Sequence, residues 1–194
     1  MTTTHLSPEP IRVLAISGSL RAGSHNTAIL RAAAELAPAG IEVELYDGLD
    51  RIPAYNEDHD GPAAELGVAR LRDRIAGADA VLFATPEYNG SVPGQLKNAI
   101  DWASRPRGSS ALAGKPAAVI GASPGQYGAQ WAQADLRRTL GVAGALVLDA
   151  ELAIDRSHER IGAAGELLDA EMREQLIALL EQLSAHRQRA AVAA

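Results

Sequence analysis

Apolar and polar positions follow two different periods along this chain, and the segments carrying each period alternate. Val13-Leu14-Ala15-Ile16 is a short unbroken apolar run with branched side chains, the pattern of a strand covered on both faces. Thr27 to Leu36 is an Ala/Leu-rich helical stretch closed by Pro38 and Gly40. Ile41 to Tyr46 alternates Ile41, Val43 and Leu45 with Glu42 and Glu44, which predicts a half-exposed edge strand. Asp47 to Pro62 reads as a polar loop. Ala63 to Ala76 predicts an amphipathic helix with Leu66, Ala69 and Ile75 near one face. Ala80-Val81-Leu82-Phe83-Ala84 and Ala117 to Gly121 repeat the buried-strand pattern. A helix follows each: one begins around Pro93 and carries Leu96, Ile100 and Trp102, the other spans about Ala129 to Leu140. A strand at Ala145 to Leu148 and an amphipathic helix at Leu167 to Leu183 close the series.

Strands alternating with helices predict a parallel sheet with helices on both faces. Five strands in 194 residues fit a three-layer, flavodoxin-like α/β fold of strand order 2-1-3-4-5 better than a six-stranded dinucleotide fold. No repeat or long linker divides the chain. One domain is expected over residues 11–185, between a flexible N-terminus at 1–10 and a flexible tail at 186–194.

Composition narrows the function. A hydrophobic fraction of 47% supports one substantial core. The net charge of -6 argues against nucleic acid or an anionic membrane as the main partner. The absence of cysteine removes disulfides, thiol catalysis and Cys-ligated metals. His5, His59, His158 and His186 lie far apart without metal-ligand spacing, so no metal site is expected. No apolar run approaches the ~18–20 residues of a membrane span, and Met1 to Pro10 lacks the apolar core of a signal peptide. A cytoplasmic protein acting on small molecules is the expectation.

The chemistry concentrates where buried strands end, because open α/β sheets bind ligands beyond the carboxyl ends of their strands. The first strand runs into Ser17-Gly18-Ser19-Leu20-Arg21-Ala22-Gly23-Ser24-His25-Asn26-Thr27 and then a helix. Helix N-termini present unpartnered N–H groups and the positive end of the macrodipole. Ser19, Ser24, Asn26 and Thr27 add short donors, and Arg21 adds a planar charged fork. The loop has no lysine, unlike a Walker loop, and Gly18 and Gly23 do not make Gly-x-Gly-x-x-Gly. It suits a terminal phosphomonoester. The second strand ends in Pro86-Glu87-Tyr88-Asn89-Gly90, and the third in the small, Gly-rich Ser123 to Gly128. A phosphate pocket beside aromatic, backbone-exposing loops describes a site for a phosphorylated planar ring, flavin mononucleotide (FMN).

Gly18-Ser19-Leu20-Arg21-x-x-Ser24-x-Asn26, followed by the run from Pro86 through Gly90-Ser91-Val92-Pro93-Gly94 to Leu96-Lys97-Asn98-Ala99-Ile100-Asp101-Trp102, resembles the NAD(P)H-dependent FMN reductases. That flavodoxin-like family includes quinone-, azo- and chromate-reducing members, and the resemblance covers roughly residues 11–150. It implies hydride transfer from NADPH or NADH to FMN and on to a quinone, azo, nitro or metal-oxyanion acceptor or to free flavin. It implies that Ser17, Ser19, Arg21, Ser24, Asn26 and Thr27 hold the phosphate. Pro86, Glu87, Tyr88, Asn89 and Gly90 would line the isoalloxazine, largely through backbone groups, with Ser123 and Gly125 contributing from the third loop. No side-chain acid or base is implied, because the cofactor carries the hydride chemistry. His25 falls where the pattern is free. A homodimer or homotetramer is implied, with Trp102, Tyr127 and Trp131 as candidates for the seam, plain core being the other reading of such aromatics. Arg105 and Arg107 read first as exposed loop charge, with contact to the dinucleotide phosphates as the alternative.

Two other readings use parts of the same chain. Gly121-Ala122-Ser123-Pro124-Gly125 follows a buried strand as a nucleophile elbow does, and Asp155 and His158 lie downstream as in an SGNH-like esterase. Against it, Pro124 lacks the N–H that an oxyanion hole takes from that position. A flavodoxin-like electron carrier is the other reading, although such carriers are strongly acidic around the flavin, where this chain is expected to place Arg21, Arg105 and Arg107.

Overall fold

A computed structural model describes residues 9–61 and 65–192, with side chains through Arg187. Its elements, in chain order, are β1 (Ile11–Ser17), α1 (His25–Leu36), β2 (Ile41–Leu45), α2 (Leu66–Gly77), β3 (Ala80–Thr85), α3 (Gly94–Ala103), β4 (Pro116–Ala122), α4 (Gln130–Val142), β5 (Leu146–Val147), β6 (Ala153–Ile154), α5 (Ser157–Arg160) and α6 (Ala170–Val192). The sheet is parallel, in the order β2-β1-β3-β4-β5, with β6 also pairing β4. This is the flavodoxin-like arrangement that the alternation predicts.

The period-2 geometry of a strand divides the core in two. Val13 and Ala15 of β1 join Leu82 and Ile120 beneath α1 and α6, which supply Ile29, Leu30, Leu176 and Leu180. Leu14 and Ile16 point the other way, with Phe83 and Val119, against Leu71 and Ile75 of α2, Leu96 and Ile100 of α3, and Leu136 of α4. β3 and β4 are buried at every position, and β2 alternates half-buried and exposed residues as an edge strand does.

Several local expectations change. Leu66, expected on the buried face of α2, is 90% exposed, and Val68, Leu71 and Ile75 form that face instead. The true stripe is Val68-x-x-Leu71-x-x-x-Ile75, a 3–4 spacing that Leu66 does not share. The helix start expected at Ala63 lies outside the described residues. The strand expected at Ala145 to Leu148 is the two-residue β5, pairing the start of β4, and a further short strand beyond the expected range, β6, pairs its end. Between them Leu148 N–H still reaches Ala117 O at 2.7 Å, so the fifth position is one interrupted strand. α6 runs on past Ala185, and Arg187 pairs with Asp79 at 2.9 Å. There the tail that the composition marks as fraying is helical. Residues 1–8 and 193–194 of the expected flexible ends lie outside the described residues.

Candidate cofactor and active site

The loop after β1 is built as an anion cradle. Ser17 Oγ lies 2.8 Å from Thr27 Oγ1, and the Ser19 N–H donates to Ser17 Oγ at 3.3 Å. Ser24 caps α1, its hydroxyl accepting the Thr27 N–H at 3.2 Å. The N–H groups of His25 and Asn26, in the first turn, have no intrahelical acceptor. Arg21 is exposed. Its guanidinium donates to Gly23 O at 2.9 Å and enters no ion pair among the described residues. Gly18 lets this loop meet the next: a Cβ there would lie 2.8 Å from Leu96 Cδ2 and 3.3 Å from Pro86 Cδ.

After β3, Tyr88 and Ser91 exchange N–H···O bonds of 3.2 Å each way, closing a tight turn. Asn89 and Gly90, its central residues, have φ of 53° and 74°, the type I′ geometry that Asn-Gly adopts most readily. Ser91 Oγ donates to Asp135 Oδ2 at 2.6 Å, which ties the turn to α4. That hydroxyl and the Arg138 guanidinium hold the Asp135 carboxyl below the usual carboxylate range. Glu87 has a structural task that the sequence did not reveal. Its Oε2 accepts the Trp131 and Ala132 N–H groups at 3.0 and 3.1 Å, capping α4 and complementing its dipole. Ala129, the residue at the cap position itself, has φ of 62° and no side-chain hydrogen bond to offer.

The loop after β4 is joined to the first through Asn26, which is almost fully buried. Its amide donates to Ala122 O and accepts the Ala122 N–H, both at 3.0 Å. Ser123 Oγ accepts the Gly125 N–H at 3.2 Å, while Ser123 O and Gly125 O accept from Ser157 and Arg156 N–H at 3.1 and 3.0 Å. The Ser157 hydroxyl, fully buried, lies 2.7 Å from His25 Nδ1. Burial, then the charges of Arg21 and His158, lower the His25 pKa below the ordinary imidazole value, so the ring is neutral at pH 7.

The three loops enclose a cleft of about 130 Å³, with Ser19, Arg21, Ser24, His25 and Asn26 on one side and Pro86, Glu87, Tyr88 and Ser123 on the other. A hollow of about 390 Å³ adjoins it, lined among others by Ser17, Ser19, Arg21 and Thr27. Asn89, Gly90 and Gly125 are exposed on the same loops. A larger groove, about 480 Å³, contains Arg105 and Arg107 beside Ala113 and Gly144, the residues leading into β4 and β5. It therefore lies at the amino end of the sheet. The carboxyl-end cleft is the candidate site, because there the strand-to-helix loops present unpartnered donors.

The cradle corrects several expectations. Asn26 is at the site, but its side chain is committed to Ala122, which leaves its backbone N–H for a ligand. Arg105 and Arg107 are a full length of α3 away from the cradle, and the Arg105 guanidinium rests 5.8 Å from the Tyr55 ring. Trp102 is core: it is 1% exposed, its Nε1 donates to Pro53 O at 2.9 Å, and Tyr55 packs edge-on at 4.9 Å. The esterase arrangement does not form. Asp155 pairs with Arg156 and Arg160, and His158 pairs with Glu159 at 3.6 Å. His25, left without a role by the motif, is in the cleft wall, and only its contact with Ser157 exposes that.

The donors fit FMN: free helix N–H groups, hydroxyls and an unpaired guanidinium for a phosphomonoester, beside a Tyr- and Gly-containing wall for a planar ring. Comparison with known proteins agrees. Residues 11–159 match the model of the family described as NADPH-dependent FMN reductase. Over 176 residues the chain is 47% identical to an NAD(P)H-dependent FMN reductase of Pseudomonas aeruginosa, covering 90% of this chain and 94% of the relative. It is 37% identical to a 2-hydroxy-1,4-benzoquinone reductase of a Burkholderia species, covering 90% and 95%. Among solved structures it is similar to FerB, a flavoenzyme NAD(P)H:(acceptor) oxidoreductase of Paracoccus denitrificans, with a TM-score of 0.83, 39% identity and coverage of 92% and 98%. The chain belongs to the NADPH-dependent FMN reductase family. Among the described residues, no helix is long and apolar enough to cross a membrane.

Proposed function

We propose that this protein is an NAD(P)H-dependent, FMN-containing oxidoreductase whose second substrate is a quinone. The observation that carries the reading is the meeting of three loops at the carboxyl end of the sheet. There an unpaired Arg21 and two free helix N–H groups stand beside the Asn89-Gly90 turn. When bound, FMN supplies hydride acceptance from NADPH or NADH and hydride delivery to the acceptor. The chain supplies placement. Arg21, Ser19, Ser24 and the His25 and Asn26 N–H groups hold the phosphate. Pro86, Tyr88 and the backbone of Asn89 and Gly90 line the ring, with Ser123 opposite. The curated relatives support a quinone acceptor, several of them being quinone reductases.

The test is an absorbance spectrum of the purified protein before and after anaerobic NADPH. Flavin bands near ~450 nm that bleach on addition, and return when benzoquinone is added, are the expected result. Bands that persist with both NADPH and NADH would favour an electron carrier with a separate reductase. Failure to take up added FMN would end the flavin reading.

The protein acts as a homodimer or homotetramer in this reading. Tyr88, Tyr127 and Trp131 are about half exposed, and Tyr127 and Trp131 meet edge-to-face at 4.8 Å at the start of α4. An apolar aromatic patch beside a cleft suits an association surface. Sedimentation at micromolar concentration should give at least twice the monomer mass, and Trp131→Glu should lower it. A monomeric wild type would overturn the assignment.

A further inference from the structure

A buried Ser157 and a half-buried His25 form a polar pair that the hydride chemistry does not use. They come from positions 132 residues apart, on the first turns of α1 and α5. Ser157 has no exposed surface, and its hydroxyl has one proton to give. Among the described residues its side-chain oxygen contacts only His25 Nδ1, at 2.7 Å. If Nδ1 were the donor, the serine proton would be left buried without an acceptor, a costly arrangement. The serine therefore donates and Nδ1 accepts. The ring proton then resides on Nε2, across the ring from Ser157, in a residue that lines the cleft beside Ser19, Arg21 and Ser24.

We infer that Ser157 fixes His25 as its Nε2–H tautomer, making His25 a neutral donor to the phosphate of the bound flavin nucleotide. The inference rests on the placement of FMN proposed above. It adds a donor that needs no proton uptake. Around the ring lie Arg21 from the first loop, whose charge opposes a positive imidazole, and His158 from α5, which does the same when it carries a proton, while Glu159 lies against His158. A protonated ring would also turn Nδ1 into a donor and strip Ser157 of its acceptor. The pair thus favours a donor without a second full charge next to Arg21.

Two measurements test it on the full chain. Long-range proton–nitrogen NMR of the protein without added flavin should show His25 as the neutral Nε2–H tautomer at pH 7. In Ser157→Ala that preference should weaken. An Nδ1–H ring, or the same tautomer population in both proteins, would overturn the role of Ser157. Equilibrium binding of FMN and of riboflavin then isolates the phosphate contact. In His25→Phe, FMN affinity should fall roughly tenfold or more, as expected for a lost hydrogen bond to a charged group, with riboflavin affinity unchanged. His25→Gln, which keeps an N–H donor of similar reach, should retain most of the FMN affinity. Equal losses for FMN and riboflavin, or none for either, would overturn the phosphate contact. A wild-type protein that binds no FMN would overturn the cofactor placement itself, a result distinct from a defect confined to the variants.

Discussion

Asn26→Leu is expected to lower the melting temperature by about 10 °C and to weaken FMN binding at the same time. The side chain lost is close in size to its replacement, so the effect comes from polarity rather than volume. Asn26 Nδ2 and Oδ1 satisfy the carbonyl and N–H of Ala122, at the buried end of β4. Leucine leaves both backbone groups without partners, each costing about 1–3 kcal/mol. For a chain of this size about 3 kcal/mol corresponds to roughly 6–12 °C. The same bonds hold the first turn of α1 against the third loop, so the cradle and the ring wall lose their fixed spacing. Thermal unfolding with and without FMN measures both effects. A shift below ~2 °C would show that Ala122 finds other partners and that the staple is dispensable.

Arg21→Ser should do the opposite: little to stability, much to the cofactor. The guanidinium is exposed and among the described residues bonds only Gly23 O, so the folded protein should change by no more than about 0.5 kcal/mol, as surface substitutions do. A charge-assisted hydrogen bond to phosphate contributes about 1.5–3 kcal/mol, so FMN affinity should fall by roughly 10–100-fold. Riboflavin, which has no phosphate, should bind both proteins alike. Salt adds a second signature, because an exposed charge pair is screened at high ionic strength. The wild-type affinity should therefore decline with added salt and that of the variant much less. Equal FMN affinity in the two proteins would remove Arg21 from the site.

Asn26 and Arg21 sit five residues apart in one motif that names both as phosphate ligands, yet the structure gives their side chains different work. Arg21 stays available for the reading made from its charge and its place in a loop, with no ion pair among the described residues. Asn26 loses it, because the residue that takes up its amide is 96 positions away. Glu87 is similar: the α4 N–H groups it caps lie 44 and 45 residues downstream. The resemblance makes Trp102 a candidate seam residue, and its burial follows from the passage of residues 47–61 along α3, which supplies Pro53 O and Tyr55.

The amino-acid sequence by itself determined the order of the main strands and helices, the two-faced burial of β1, β3 and β4, and the three strand-end loops expected to hold a ligand. Those features are local. A run of branched apolar residues, a 3–4 spacing, a Ser cap or an Asn-Gly turn acts within a few residues of itself, so each is legible in a short window. Tertiary structure alone decided which donors of those loops remain free for a ligand. It moved Arg105 and Arg107 to the far end of the sheet, set β6 against the end of β4, and brought His25 to Ser157. A polar side chain takes the nearest good partner in space, and nothing in its own neighbourhood in the chain records which partner folding will deliver.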